Sequence, residues 1–246
     1  GTVASVFAEP INQIVDGSPA QNCELPSIVH LQVFNHPMPN RVSLCGGTLI
    51  DSTHVLTAAH CLEGNVRKIN VIIGSNNRSA PGSQSTTTSR FVVHEKYVHT
   101  RTDIKNDIAI VKLENPVHEG DCIKFEKMAD QGQTFGTSKC IAAGWGKLKF
   151  KGNSPEELYK VVLPTIPHDV CRRKSRMRIP DGVLCAGDFI TGGGATCKGD
   201  SGGPLYCPSK GRMVLAGVTS YGVDCHRDVS AFSDVGYFRS WINSHL

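Results

Sequence analysis

Several kinds of segment are missing from this sequence. No apolar run approaches the roughly 18 residues that a membrane-spanning helix needs, so no membrane span is expected. No two cysteines stand in a C-x-x-C pair, which removes the commonest zinc-ligand spacing. Neither sign of charge dominates. Lys and Arg total 26 against 22 Asp and Glu, and the net charge of +4 is too small to argue for nucleic acid. Charged residues make up 20% and hydrophobic residues 39%, near the norm for globular proteins, which excludes disordered and fibrous classes. No internal repeat is visible, and helical periodicity is sparse. The stretch Ser75–Arg90 holds no Asp or Glu, so a calcium site is not expected there. No metal or cofactor is expected elsewhere.

What is present points outside the cell. Ten cysteines, an even and high count for 246 residues, suggest an oxidising compartment and a disulfide framework. The sequon Asn77-Arg78-Ser79 agrees with secretion and makes Asn77 a candidate for glycosylation. The opening residues 1–13 read as a signal remnant or a pro-segment, with a signal cut after Ala8 as one option.

Strand signals recur along the chain. Ile28–Phe34, Thr48–Ile50, Val55–Thr57, Val71–Ile73, Phe91–Val93, Ile108–Leu113, Tyr159–Leu163 and Met213–Val218 are rich in β-branched residues, and Gly, Pro, Asn and Ser clusters separate them. This spacing predicts an all-β sandwich or barrel. Two segments read as helical: Pro167–Ser175, and Val235–Leu246 with Phe238, Trp241 and Ile242 on one stripe. The polar stretch Asn76–Ser89 and the Lys- and Gly-rich Lys147–Pro155 read as surface loops.

Three short motifs carry the chemistry: Thr57-Ala58-Ala59-His60-Cys61, Asn106-Asp107-Ile108-Ala109, and Gly199-Asp200-Ser201-Gly202-Gly203-Pro204. Singly, the first two are ordinary structural features. Together, in this order, they resemble the chymotrypsin–trypsin family of serine peptidases. Ile14-Val15-Asp16-Gly17, Cys45-Gly46-Gly47, Gly144-Trp145-Gly146 and Ser220-Tyr221-Gly222 match as well. The resemblance implies two antiparallel six-stranded Greek-key β-barrels, at about 14–127 and 128–235, and a C-terminal α-helix at 236–246. It implies His60, Asp107 and Ser201 as a catalytic triad. A serine hydroxyl is a weak nucleophile and needs a positioned base, and the base needs an orienting carboxylate. The backbone N–H groups of Gly199 and Ser201 would form the oxyanion hole.

Further roles follow from the resemblance alone. Cys45–Cys61, Cys140–Cys207, Cys171–Cys185 and Cys197–Cys225 match family pairs. Cys23 and Cys122 are left to pair by elimination, the alternative being two free thiols. Ile14 would supply a new amino terminus to pair with Asp200 after cleavage of a zymogen. Gln13 stands before it, which argues against a trypsin-like activator. Ala195 takes the floor of the primary pocket, with Thr196 and Lys198 beside it, Ser220 and Tyr221 along the substrate, and Gly222 and Ser230 as walls. This pocket is neutral and suits apolar residues; Asp224 near the rim is the alternative that would favour basic ones. The expected partners are protein or peptide substrates and protein protease inhibitors, and an anionic partner at the basic run Arg172–Arg178. The molecule is expected to be monomeric. A catalytically silent homologue that binds partners is the competing reading.

Overall fold

A computed structural model describes residues 17–35, 42–147, 153–176, 178–187, 200–222 and 229–246. In chain order the strands are β1 (Ser18–Pro19), β2 (Ile28–Asn35), β3 (Val42–Leu49), β4 (His54–Thr57), β5 (Val66–Ile73), β6 (Thr86–Thr88), β7 (Phe91–Val93), β8 (Val98–His99), β9 (Ile104–Lys105), β10 (Ala109–Lys112), β11 (Lys139–Gly144), β12 (Tyr159–Ile166), β13 (Val183–Ala186), β14 (Pro204–Ser209), β15 (Arg212–Tyr221) and β16 (Ser230–Asp234). Among the described residues one 3₁₀ turn covers Ala59–Leu62, and two α-helices follow, α1 (His168–Lys174) and α2 (Val235–Asn243).

Apart from β8 and β9, which pair only with each other, the strands form two antiparallel barrel-like sheets. The first runs β6-β5-β2-β3-β4-β10-β7 and the second β1-β12-β11-β14-β15-β16-β13. In the second, β12 also pairs with β13, so six strands close into a ring and β1 is a short addition to it. The order β13-β12-β11-β14, in which β11, β12 and β13 are consecutive and β14 returns beside β11, is a Greek key. The first sheet is nearly closed. Its end strands β6 and β7 are neighbours in sequence, and the Thr88 hydroxyl on β6 donates to the Lys112 carbonyl on β10 at 2.8 Å. The polar stretch 76–89 is therefore more than a loop. Its three consecutive threonines pair with Ile69–Val71, and Thr88 is buried. β-branched side chains suit this half-buried ledge despite their polarity.

The core follows strand alternation. Leu31, Leu49, Leu56, Ile69, Ile73 and Ile110 fill the first barrel, and Leu163, Leu205 and Phe232 the second; all are fully buried. The C-terminal helix is shorter than the sequence suggests, ending at Asn243. Asp234 caps it by accepting from the Tyr237 N–H, and Val235, Phe238 and Ile242 face the body. Trp241 stacks on His94 at 4.9 Å and donates to Glu95, so the helix of the second half reaches back to the first.

Candidate active site

The site is built where the two barrels meet. His60 lies on the 3₁₀ turn directly after β4. Cys61 beside it is bonded to Cys45 on β3, which pins the turn to the sheet. Asp107 precedes β10 and is 3% exposed. Its carboxylate is surrounded by donors. His60 presents Nδ1 to Asp107 Oδ2 at 2.8 Å and donates its backbone N–H to Oδ1 at 2.9 Å. The Ser220 hydroxyl on β15 donates to Oδ2 as well. The Ser233 hydroxyl on β16 donates to the Asp107 carbonyl at 2.6 Å. A buried carboxylate is tolerable when its lone pairs are satisfied in this way.

The charges follow from this geometry. Burial pushes the Asp107 carboxyl up, but the bond and charge of His60 and the Ser220 bond outweigh it and hold the group below its ordinary value. Burial pushes the His60 imidazole down, while the bond and charge of Asp107, with the charge of Glu63, raise it above the ordinary histidine value.

Ser201 is placed through its backbone. Its carbonyl accepts from the Gly46 N–H at 2.8 Å, and the next residues are held by Gly202 N–H to the Thr219 carbonyl and Gly203 N–H to the Asp200 carbonyl. Gly202 sits at φ +78°, and a Cβ there would meet Thr57 Oγ1 at 2.3 Å and the Gly46 carbonyl at 2.5 Å. The glycines of the third motif and of Cys45-Gly46-Gly47 thus interlock, and Thr57 locks the junction by donating to the Gly46 carbonyl. Asp200, 1% exposed, accepts from the Gly146 N–H at 2.8 Å. A Cβ at Gly144 would lie 2.2 Å from Asp200 Oδ1, which explains the glycines flanking Trp145.

The structure therefore brings His60, Asp107, Ser220 and the Ser201 turn together. Ser230 is buried at the start of β16, Tyr221 hydrogen-bonds the Arg178 carbonyl, and Gly222 is exposed. Ile14, Ala195, Thr196, Lys198, Gly199 and Asp224 lie outside the described residues, as do Cys197 and Cys225. The disulfides Cys23–Cys122, Cys45–Cys61, Cys140–Cys207 and Cys171–Cys185 are formed, so the pairing of Cys23 holds and the free-thiol alternative falls. Among the described residues, the single group of potential metal ligands is Cys45, His60 and Cys61. Both sulfurs there are spent in one disulfide, so no metal set remains. Ser233 was not legible in advance. It lies 126 residues from Asp107 in sequence, and no local motif marks it.

Comparison with known proteins agrees with this geometry. A family model described as Trypsin matches residues 14–242. The chain is 32% identical to trypsin eta of Drosophila erecta over 99% of this chain and 94% of that protein. It is 34% identical to kallikrein 1-related peptidase b22 of Mus musculus over 82% of this chain and 80% of that protein. It is likewise 34% identical to mouse transmembrane protease serine 11G, covering 96% of this chain but only 56% of that longer protein. The chain belongs to the trypsin family of serine proteases.

Proposed function

We propose that this chain is a secreted serine endopeptidase that cleaves peptide bonds through an acyl-enzyme. The observation that carries the reading is the half-buried His60 paired with the buried Asp107, beside the anchored Ser201 turn. In the proposed reaction His60 Nε2 takes the Ser201 hydroxyl proton as Oγ bonds to the scissile carbonyl carbon. The same nitrogen gives that proton to the departing amine, and water repeats both steps on the ester. Asp107 holds Nδ1–H, fixing the tautomer and balancing the imidazolium. The N–H groups of Gly199 and Ser201 receive the oxyanion; one such donor is worth about 10²–10³ in rate.

The rest of the reading attaches to this centre. Residues 14–246 form one peptidase domain, with the barrels dividing near residue 127. The chain is a zymogen until cleavage before Ile14 frees an ammonium to pair with Asp200. A carboxylate as buried as Asp200 is stable when well paired. With Ala195 as its floor the primary pocket is neutral and takes apolar side chains. The enzyme acts as a monomer on protein or peptide substrates, is subject to protein protease inhibitors, and meets an anionic partner at Arg172–Arg178. Asn77 carries a glycan.

The test is a peptide library digested with chain cleaved at Gln13–Ile14, with Ser201→Ala as control and the cut bonds mapped by mass spectrometry. Cuts after large apolar residues, absent from the control, support the whole reading. Cuts after Lys or Arg transfer the specificity to Asp224. No cut above control hands the chain to the competing reading, a silent homologue that binds partners.

A further inference from the structure

Two depressions meet beside the site, on the face that carries α1 and the start of α2. One, of about 550 Å³, is lined by Lys105, Asn106, Arg172, Arg178 and Ile179. The other, of about 280 Å³, is lined largely by apolar groups, among them Phe135, Ile166, Val183 and Leu184. Asp181 and Tyr237 line both, so the two are halves of one groove. Tyr237 is 52% exposed, large for an aromatic ring on a surface with polar neighbours.

The charge of the first half is not self-compensated. Asp103 is shared by Lys105 at 2.8 Å and Arg178 at 3.6 Å, and Asp169 pairs with Arg173 at 2.7 Å. The lining cations of this half are Lys105, Arg172 and Arg178, against Asp181 and the shared Asp103, which leaves a positive excess. Arg172 is exposed and forms no ion pair among the described residues, and Lys174 and Arg176, also exposed and unpaired there, lie nearby in the chain. The second half has no basic side chain except His168 and contains the Asp234 carboxylate, which is committed to capping α2. A ligand made only of negative charge would fit the first half and be turned away by Asp181 and Asp234 in the second.

We propose that this groove docks a peptide segment of a partner protein in which acidic residues are followed by aromatic or aliphatic ones. The acidic part lies over Arg172 and Arg178, and the apolar part passes Tyr237 into the pocket of Ile166 and Leu184. Arg and Tyr are the residues that most often anchor such contacts. The groove adjoins the cleft at two points. Asn106 lines it and is followed directly by Asp107, and the Arg178 carbonyl accepts from the Tyr221 hydroxyl at 3.1 Å. A docked segment therefore holds its protein next to the site. Binding itself needs no catalysis, so it is separable from the peptidase reading.

The experiment uses full-length Ser201→Ala chain and a fluorescein-labelled probe peptide, Glu-Glu-Asp-Glu-Phe-Leu, read by anisotropy. Expected is saturable binding that weakens with salt, is at least tenfold weaker in Arg172→Glu, and is several-fold weaker in Tyr237→Ala or when Phe-Leu is replaced by Ser-Ser. A thermal melt of each variant shows that the fold is kept. Arg172 is chosen because it has no ion pair among the described residues to lose. The proposal is overturned if the probe does not bind, if the Ser-Ser peptide binds equally well, or if a sulfated oligosaccharide binds at this groove and excludes the probe while the probe alone shows no dependence on Tyr237.

Discussion

Asp107 accepts three hydrogen bonds at its carboxylate, from His60 twice and Ser220 once. The consequence for pH has a definite sign. The proposed reaction needs neutral His60, and its imidazole is raised above the ordinary histidine value. The acid limb of kcat/KM therefore has its midpoint above the ordinary value of about 6.5. For stability the direction reverses: the protonated pair stabilises the fold below the ordinary value, and this contribution is lost as pH rises through the raised one. Ser220→Ala removes one donor to a charged acceptor, worth about 1.5–3 kcal/mol when intact. Expected is a loss of about tenfold or more in kcat with KM little changed, and an acid limb moved to higher pH, because an Asp107 carboxylate that has lost a donor is more basic and holds the His60 proton more tightly. An unmoved pH–rate profile removes Ser220 from a positioning role.

At the scale of elements, two junctions decide whether the site forms. Thr88 ties the open side of the first barrel by its bond to the Lys112 carbonyl. Thr88→Val keeps the shape and removes the hydroxyl, leaving a buried carbonyl short of a partner. The expected cost is about 1–3 kcal/mol, read as a lower midpoint in urea with activity retained below it. Gly202→Ala is harsher, since its Cβ would run into Thr57 and the Gly46 carbonyl at a left-handed backbone. It is expected to destroy hydrolysis even where the chain still folds, because the Ser201 turn must move. Near-normal hydrolysis by Gly202→Ala would show that the interlock is slack.

What was legible in the sequence divides along the same lines. Strands rich in Val, Ile and Leu, such as β2 and β12, were evident from composition, and β7 was placed to the residue. β11 (KCIAAG), β14 (PLYCPS) and β16 (SAFSD) were not, since small residues, prolines and serines carry no β signal of their own. They are strands because each is paired with strand neighbours on both sides, which supplies the ladder that their own side chains do not favour. The motif residues of the site were legible because each is marked locally. Ser233 and the interlocking of Gly202 with Thr57 exist only once distant strands meet.

The whole molecule carries a cost at low pH that sits away from the reacting groups. His30 is 4% exposed, packs against Trp145 at 5.3 Å, and has a buried Nδ1 without a partner. Burial, reinforced by the charge of Arg78 and opposed by Glu156, pushes its imidazole down to about 4. The folded state thus refuses a proton that the unfolded chain accepts below about 6.5. Stability present above that value is lost as pH falls toward 4, by on the order of 3 kcal/mol from this group. His94, also lowered by burial, acts in the same direction. Chemical denaturation at pH 7 and pH 4.5 measures the slope, and His30→Gln is expected to flatten it. A slope unchanged in His30→Gln places the acid sensitivity elsewhere.

Each described disulfide closes within one half of the chain: Cys23–Cys122 and Cys45–Cys61 in the first, Cys140–Cys207 and Cys171–Cys185 in the second. Across the seam, the bonds of Gly46 to Ser201, Ser220 and Ser233 to Asp107, and Trp241 to Glu95 are all non-covalent. The molecule therefore has a built-in order of failure. Loosening of these seam contacts on warming is expected to cost hydrolysis before either barrel melts, so activity measured against temperature should fall before the spectroscopic signal of the fold does. Such an enzyme would switch off reversibly at a temperature where its spectrum still reports a folded protein, and recover on cooling without having to refold.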